Sequence, residues 1–172
     1  MAKPVNIRRI TLTALMAALI FVLTTLPRIP VPASGGYVHL GDAGVTFAAC
    51  AFGPWVAAAA GGLGTALADL MGFPQWAIFS LIVHGLQGLA VGLILRPGLN
   101  VIRGVLASVA AVVIVVAGYF VAGVILMGQA AAAVEILPNT LQALSGCIVG
   151  IPLYWAVRRA YPPLERYSDR TA

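Results

Sequence analysis

The sequence predicts an all-α integral membrane protein, a bundle of six transmembrane helices with both termini cytoplasmic. Three observations lead there. Of 172 residues, 61% are hydrophobic and only 9% charged. A soluble domain carries about 25% charged residues, so this chain has too few to cover a water-facing surface. Apolar runs recur along its whole length, with room for about six spans of about 20 residues each. The basic residues gather at three places that an even span count puts on one side of a bilayer.

The first eight residues are polar, with Lys3 and Arg8. The first helix is expected from Arg9 to Leu26. It carries Ala14-x-x-x-Ala18, two small residues on one face that let another helix approach closely. The run bears no A-x-A cleavage site, so it does not read as a signal peptide. Residues 27–39 cannot be helix, because Pro27, Pro30 and Pro32 remove backbone donors and Ser34-Gly35-Gly36 is permissive. This loop is long enough to act as a lid. The second helix starts near Asp42 and stops at the tight turn Gly53-Pro54. The third, Ala- and Gly-rich, runs from about Trp55 to Met71, and Gly72-Phe73-Pro74 breaks it. The fourth runs from about Gln75 to Leu95 with Gly88-x-x-x-Gly92 inside it, and Arg96-Pro97-Gly98 ends it. The fifth, from about Val101 to Met127, is nearly featureless and reads as lipid-facing. Residues 128–133 turn the chain, and the sixth helix runs from about Val134 to Val157. The tail is polar. The chain reads as one domain, 1–172, with no repeat and no separate soluble part.

Lys3, Arg8 and Arg9 precede the first helix. Arg96 and Arg103 lie between the fourth and fifth. Arg158, Arg159, Arg166 and Arg170 follow the sixth. Six spans put all three groups on one side and leave only Arg28 on the other. The net charge of +5 then records membrane insertion rather than nucleic-acid binding. The 27–39 loop becomes extracellular.

Against this apolar background a few polar residues stand out, and a buried ionisable group in a membrane is a functional-site hypothesis by default. Asp42 opens the second helix at the outer face and Asp69 closes the third there. His84 lies about 12 Å below the outer end of the fourth, with Gln87 roughly a turn deeper. Glu135, Asn139 and Gln142, at i, i+4 and i+7, share one face of the sixth. Tyr37, His39 and Trp76 sit above them. Each has a plainer reading. Asp42 could cap its helix, Asp69 could reach water, His84 could be a satisfied core histidine, and Trp76 could belong to an interfacial belt. Three polar residues on one helix face suggest a cavity more than helix–helix glue. The expected substrate site is therefore Tyr37, His39, Asp42, Asp69, Trp76, His84, Gln87, Glu135, Asn139 and Gln142.

Several chemistries drop out. Lys3 is the only lysine, so no Walker A phosphate loop exists in this chain. Cys50 and Cys147 fit no metal motif, and there is no H-E-x-x-H. Ala143-Leu144-Ser145-Gly146 lacks the glycine that a nucleophile turn wants two positions before the serine. The expectation is no enzyme, no metal and no cofactor.

The run from Gly36 to Gly92 resembles the substrate-binding (S) component of energy-coupling-factor (ECF) vitamin transporters. It most resembles the branch associated with hydroxymethylpyrimidine and pyridoxine. The matching marks are Gly41-Asp42-Ala43, Gly53-Pro54, Ala68-Asp69 and Gly85 to Gly92, and Ala14-x-x-x-Ala18 is similar to the signature by which S components dock. His84 departs from the pattern, which often has lysine there. The resemblance implies capture of a vitamin under the 27–39 loop, at the plasma membrane of a prokaryote. It also implies docking through Ala14 and Ala18 on a transmembrane T component, with ATP used by two partner ATPases. Carboxylates, amides and flat rings, with no cation on the outer side but Arg28, suit a neutral or cationic N-heterocycle. A stand-alone proton-coupled carrier, with Asp69, His84 and Glu135 as relay, is the alternative. A ligand-free structural membrane protein is a third reading.

Overall fold

The computed structural model describes residues 7–26, 28–31 and 36–168. Lys3, Pro27, Pro32, Ser34, Gly35 and Arg170 therefore lie outside the described residues. Helix α1 spans Ile7–Thr25, α2 Gly41–Phe52, α3 Pro54–Leu70, α4 Ala77–Leu95, α5 Val101–Met127, α6 Gln129–Val134 and α7 Ile136–Ala160. Between α1 and α2, the expected loop carries a small antiparallel hairpin, β1 (Ile29–Val31) and β2 (Gly36–Val38), with Pro30 opposite Tyr37. The protein is thus helical but not purely so. Among the described residues, four segments are long and apolar enough to cross a membrane: Ile7–Thr25, Pro74–Leu95, Val101–Met127 and Gln129–Ala160.

Helix α2 departs from the expected pattern of equal spans. Its 12 residues reach only about 18 Å, and every one of them is buried. It is the axle of the bundle, walled by α1, α3, α4 and α7. The turn that follows needs Gly53, whose φ of 91° is open to glycine and costly for other residues. Pro54 then starts α3, where a missing N–H costs nothing.

Two expectations at the C-terminal side are corrected. The turn expected over 128–133 is instead mostly helix: four consecutive alanines have the highest helix propensity and form α6 after Gly128 at φ 86°. The sixth expected helix is interrupted at Glu135. Pro138 has no N–H to donate to the Val134 carbonyl, so α6 ends there and α7 restarts at Ile136. Helix α7 then packs on α2 through Gly146 and Gly150, where a Cβ at Gly150 would stand 2.7 Å from the Ala43 carbonyl oxygen. On α4, Gly88 and Gly92 lie against Ala57 and Pro54 of α3 in the same way.

The first and last described segments meet. A 3₁₀ turn at Pro162–Tyr167 lies beside the start of α1. There the Arg8 guanidinium sits 3.9 Å from the centre of the Tyr167 ring and bonds the Arg166 carbonyl. The first and last described segments therefore share one end of the bundle. Around that end, Met16, Ile20, Phe47, Phe52, Val56, Val91, Leu95, Tyr154 and Leu164 form the main apolar core.

Candidate functional site

The opposite end, under the hairpin, is polar inside. Tyr37 on β2 donates its hydroxyl to Asp69 Oδ1 (2.5 Å), near the end of α3. Ser80 on α4 donates to the other carboxylate oxygen. The Ser80 and Tyr119 hydroxyls are 2.6 Å apart, and Tyr119 reaches His84 Nε2 at 3.1 Å. On its far side His84 Nδ1 faces Gln87 Oε1 at 2.7 Å and Asp42 Oδ1 at 3.1 Å. Asp42 lies in the first turn of α2, makes no capping bond and is fully buried. The plain N-cap reading is thereby corrected, because its carboxylate points across to α4 rather than back along its own helix.

A cavity opens beside this chain of bonds. Gly36, Tyr37, His39, Asp69, Trp76, Tyr119, Glu135, Asn139 and Gln142 enclose about 410 Å³, counting the mouth. Seven of the ten residues expected from sequence line it. The other three, Asp42, His84 and Gln87, form a layer behind Tyr119 with no exposed surface. The i, i+4, i+7 stripe is real: Glu135 closes the α6–α7 break, and Asn139 and Gln142 are buried below it. The Asn139 amide nitrogen is buried without a partner, and a buried donor left unbonded is costly. Gln142 Oε1 accepts from the His39 backbone N–H at 3.2 Å, which ties the hairpin's exit to α7.

Aromatic rings make the walls. Tyr37 stacks on Phe73 at 4.8 Å, and Trp76 leans on Tyr119 at 5.9 Å. Arg28 lies 4.8 Å from the Tyr37 ring centre and donates to the Ala68 carbonyl at 3.0 Å. It does not line the cavity. Among the described residues, no lysine or arginine does. Burial pushes the His39 imidazole down to about 3, and Asp42 offsets this only in part. His39 is therefore neutral, with Nδ1 accepting the Gly41 N–H at 3.0 Å. Burial, and then Asp69, push the Tyr37 phenol up, so it stays a donor.

Tyr119 and Ser80 escaped the sequence reading, and Tyr119 corrects the view of α5 as lipid-facing. One face of α5 is buried, at Ala107, Ala111, Val115 and Ala122. That small-residue stripe at helical spacing was the available signal. Ala14 and Ala18 are both exposed on α1, while Met16, Ala17 and Ile20 turn inward.

Comparison with known proteins then gives a consistent result. The family model for the ECF-type riboflavin transporter, S component, matches residues 4–159. An uncharacterized protein in the gap 3′ region of Pyrococcus woesei is 38% identical over 143 residues, covering 83% of this chain and 97% of that one. The thiamine precursor transporter HmpT of Lactococcus lactis subsp. cremoris (strain MG1363) is 36% identical, covering 84% of each. Among solved structures, the S-component for biotin from an ECF-type ABC transporter superposes with a TM-score of 0.66 at 17% identity, over 93% of this chain and 95% of that one. The S component of a bacterial ECF transporter gives 0.65 at 18% identity, over 91% and 98%. The two structures speak to the fold, the family model and the relatives to descent, and together they establish that the chain belongs to the family of ECF-type transporter S components.

Proposed function

We propose that this chain captures a small, flat N-heterocycle for import, with the aminopyrimidine precursor of thiamine first among candidates. The family is one of transporter components rather than enzymes. The observation that carries the choice of ligand is the lining of the cavity: carboxylates, one unpartnered amide and flat rings, with no lysine or arginine among the described residues. Such a site suits N–H donors on a neutral or cationic ring. The relative named for a thiamine precursor supports the same choice.

In this reading the chain is a single domain with six passes, counting α2 and α3, and both termini are cytoplasmic in a prokaryotic plasma membrane. The hairpin is the outer lid. Ala14 and Ala18 offer α1 to a T component, and two ATPases supply the energy. The ten residues expected from sequence, with Tyr119, form the substrate site and the layer behind it. One observation favours the stand-alone carrier instead: Asp69 and His84 are joined through Ser80 and Tyr119, as a proton relay would require.

The test is native mass spectrometry of the detergent-purified protein, followed by denaturing extraction. The expected result is a one-ring N-heterocycle at unit stoichiometry that is lost from an Asp69→Asn/Glu135→Gln variant. A retained polyanionic ligand would overturn the choice of substrate. Uptake by vesicles that hold no ATPase partner would favour the carrier.

A further inference from the structure

His84 lies behind the cavity wall, yet it is bonded to a residue that lines it. The chain Asp69–Ser80–Tyr119–His84 has unbroken contacts from the cavity to a buried imidazole. Counting protons along it leaves two arrangements. In the first, His84 carries hydrogens on both nitrogens: Nε2–H donates to Tyr119, Tyr119 to Ser80, and Ser80 to an ionised Asp69. In the second, every bond runs the other way. A protonated Asp69 donates to Ser80, Ser80 to Tyr119, and Tyr119 to a bare Nε2. Both arrangements satisfy every donor in the chain.

The far side of the ring is the same in both. Nδ1 faces Asp42 Oδ1 and Gln87 Oε1, two acceptors, so it keeps its proton and Asp42 stays the buried counter-ion. The remaining titratable neighbour is His39, 5.7 Å away ring to ring, which is neutral with Nδ1 held by Gly41. Tyr37 donates to Asp69 in either arrangement.

We infer that Ser80, Tyr119 and His84 form a reversible proton wire that sets whether Asp69 meets the ligand as an ionised carboxylate or as a neutral acid. Switching moves one proton from His84 Nε2 to Tyr119, one from Tyr119 to Ser80, and one from Ser80 to Asp69 Oδ2. Each hydroxyl loses one proton and gains one, and the net charge of the site is unchanged. A ring that offers an N–H to Asp69 draws the wire to the first arrangement, and a ring that turns a lone pair on Asp69, which an ionised carboxylate repels, draws it to the neutral second. His84 and Ser80 are positioning residues here. Only the ligand part of the inference rests on the proposed function.

The test uses the full chain in lipid nanodiscs with ¹⁵N-labelled histidine. His39→Gln tells the two imidazoles apart. Without ligand, Asp69→Asn removes the far proton site, and the His84 Nε2 resonance is expected to shift. With Tyr119→Phe, which keeps the ring and removes the hydroxyl, the same substitution is expected to leave the resonance unmoved. A resonance indifferent to Asp69→Asn, or equally responsive with Tyr119→Phe, overturns the wire whatever the ligand. A second arm adds saturating 4-amino-5-hydroxymethyl-2-methylpyrimidine. Nε2 is expected to move toward the doubly protonated range, and binding without that movement overturns the coupling. Failure to bind, with the ligand-free response intact, counts against the proposed ligand and leaves the wire standing.

Discussion

The same helices build two unlike ends. Along α4, Ser80, His84 and Gln87 are followed by Gly88, Val91, Gly92 and Leu95. Along α7, Asn139 and Gln142 give way to Gly146, Gly150 and Tyr154. At the end where Arg8 meets Tyr167, buried side chains are apolar and helices touch through glycines. At the hairpin end they are polar, and the Asn139 amide nitrogen stays without a partner among the described residues. Packing at the first end leaves nothing to satisfy. The second end retains unmet bonding capacity beside a cavity, a liability to stability that the proposed ligand would relieve. One end holds the bundle together and the other is kept available.

That contrast can be broken at several points. Asp42→Ala strikes the layer behind the cavity and leaves His84 buried without its counter-ion, so it should cost about 3–5 kcal/mol, read as a large drop in melting temperature in detergent. Gly150→Leu strikes the packed end by forcing α7 off the Ala43 carbonyl. It should destabilise by about 1–3 kcal/mol and lower expression in the membrane.

A smaller effect follows from pH. His39 has a folded value of about 3 against an ordinary value of about 6.5. The depressed value means that stability is full above about 6.5 and falls as the unfolded chain takes up the proton first, down to about 3. At pH 5.5 the loss should be about 1.4 kcal/mol, and His39→Gln should remove that slope from a pH series of melting curves. Asn139→Ala sits at the small end for stability, within about 0.5 kcal/mol, since it deletes a donor with no partner among the described residues.

Much of this was legible in the sequence, for reasons that differ by element. The breaks at Gly53-Pro54 and Gly72-Phe73-Pro74 could be read because those residues restrict backbone or free it. The face shared by Glu135, Asn139 and Gln142 could be read because helical spacing is fixed. Other features depend on partners that are remote in the chain. Tyr119 sits alone in a long apolar run, and only the packing of α5 on α4 brings its hydroxyl to Ser80 and His84. Ser80 is an ordinary helix residue until Asp69 of α3 is placed beside it. The hairpin depends on pairing across residues 29–38, which proline content argues against. Pro138 carried a local signal, a missing donor, that the reading of one uninterrupted helix from Val134 passed over.

The most direct measurement is calorimetric titration of 4-amino-5-hydroxymethyl-2-methylpyrimidine into wild-type protein and Asn139→Ala, with melting temperatures of both in the absence of ligand. The account predicts at least about a tenfold loss of affinity, roughly 1.4 kcal/mol for a lost bond, with a nearly unchanged melting temperature. Equal affinity in the two proteins, or a melting temperature that falls while affinity holds, would contradict the division between a holding end and a binding end.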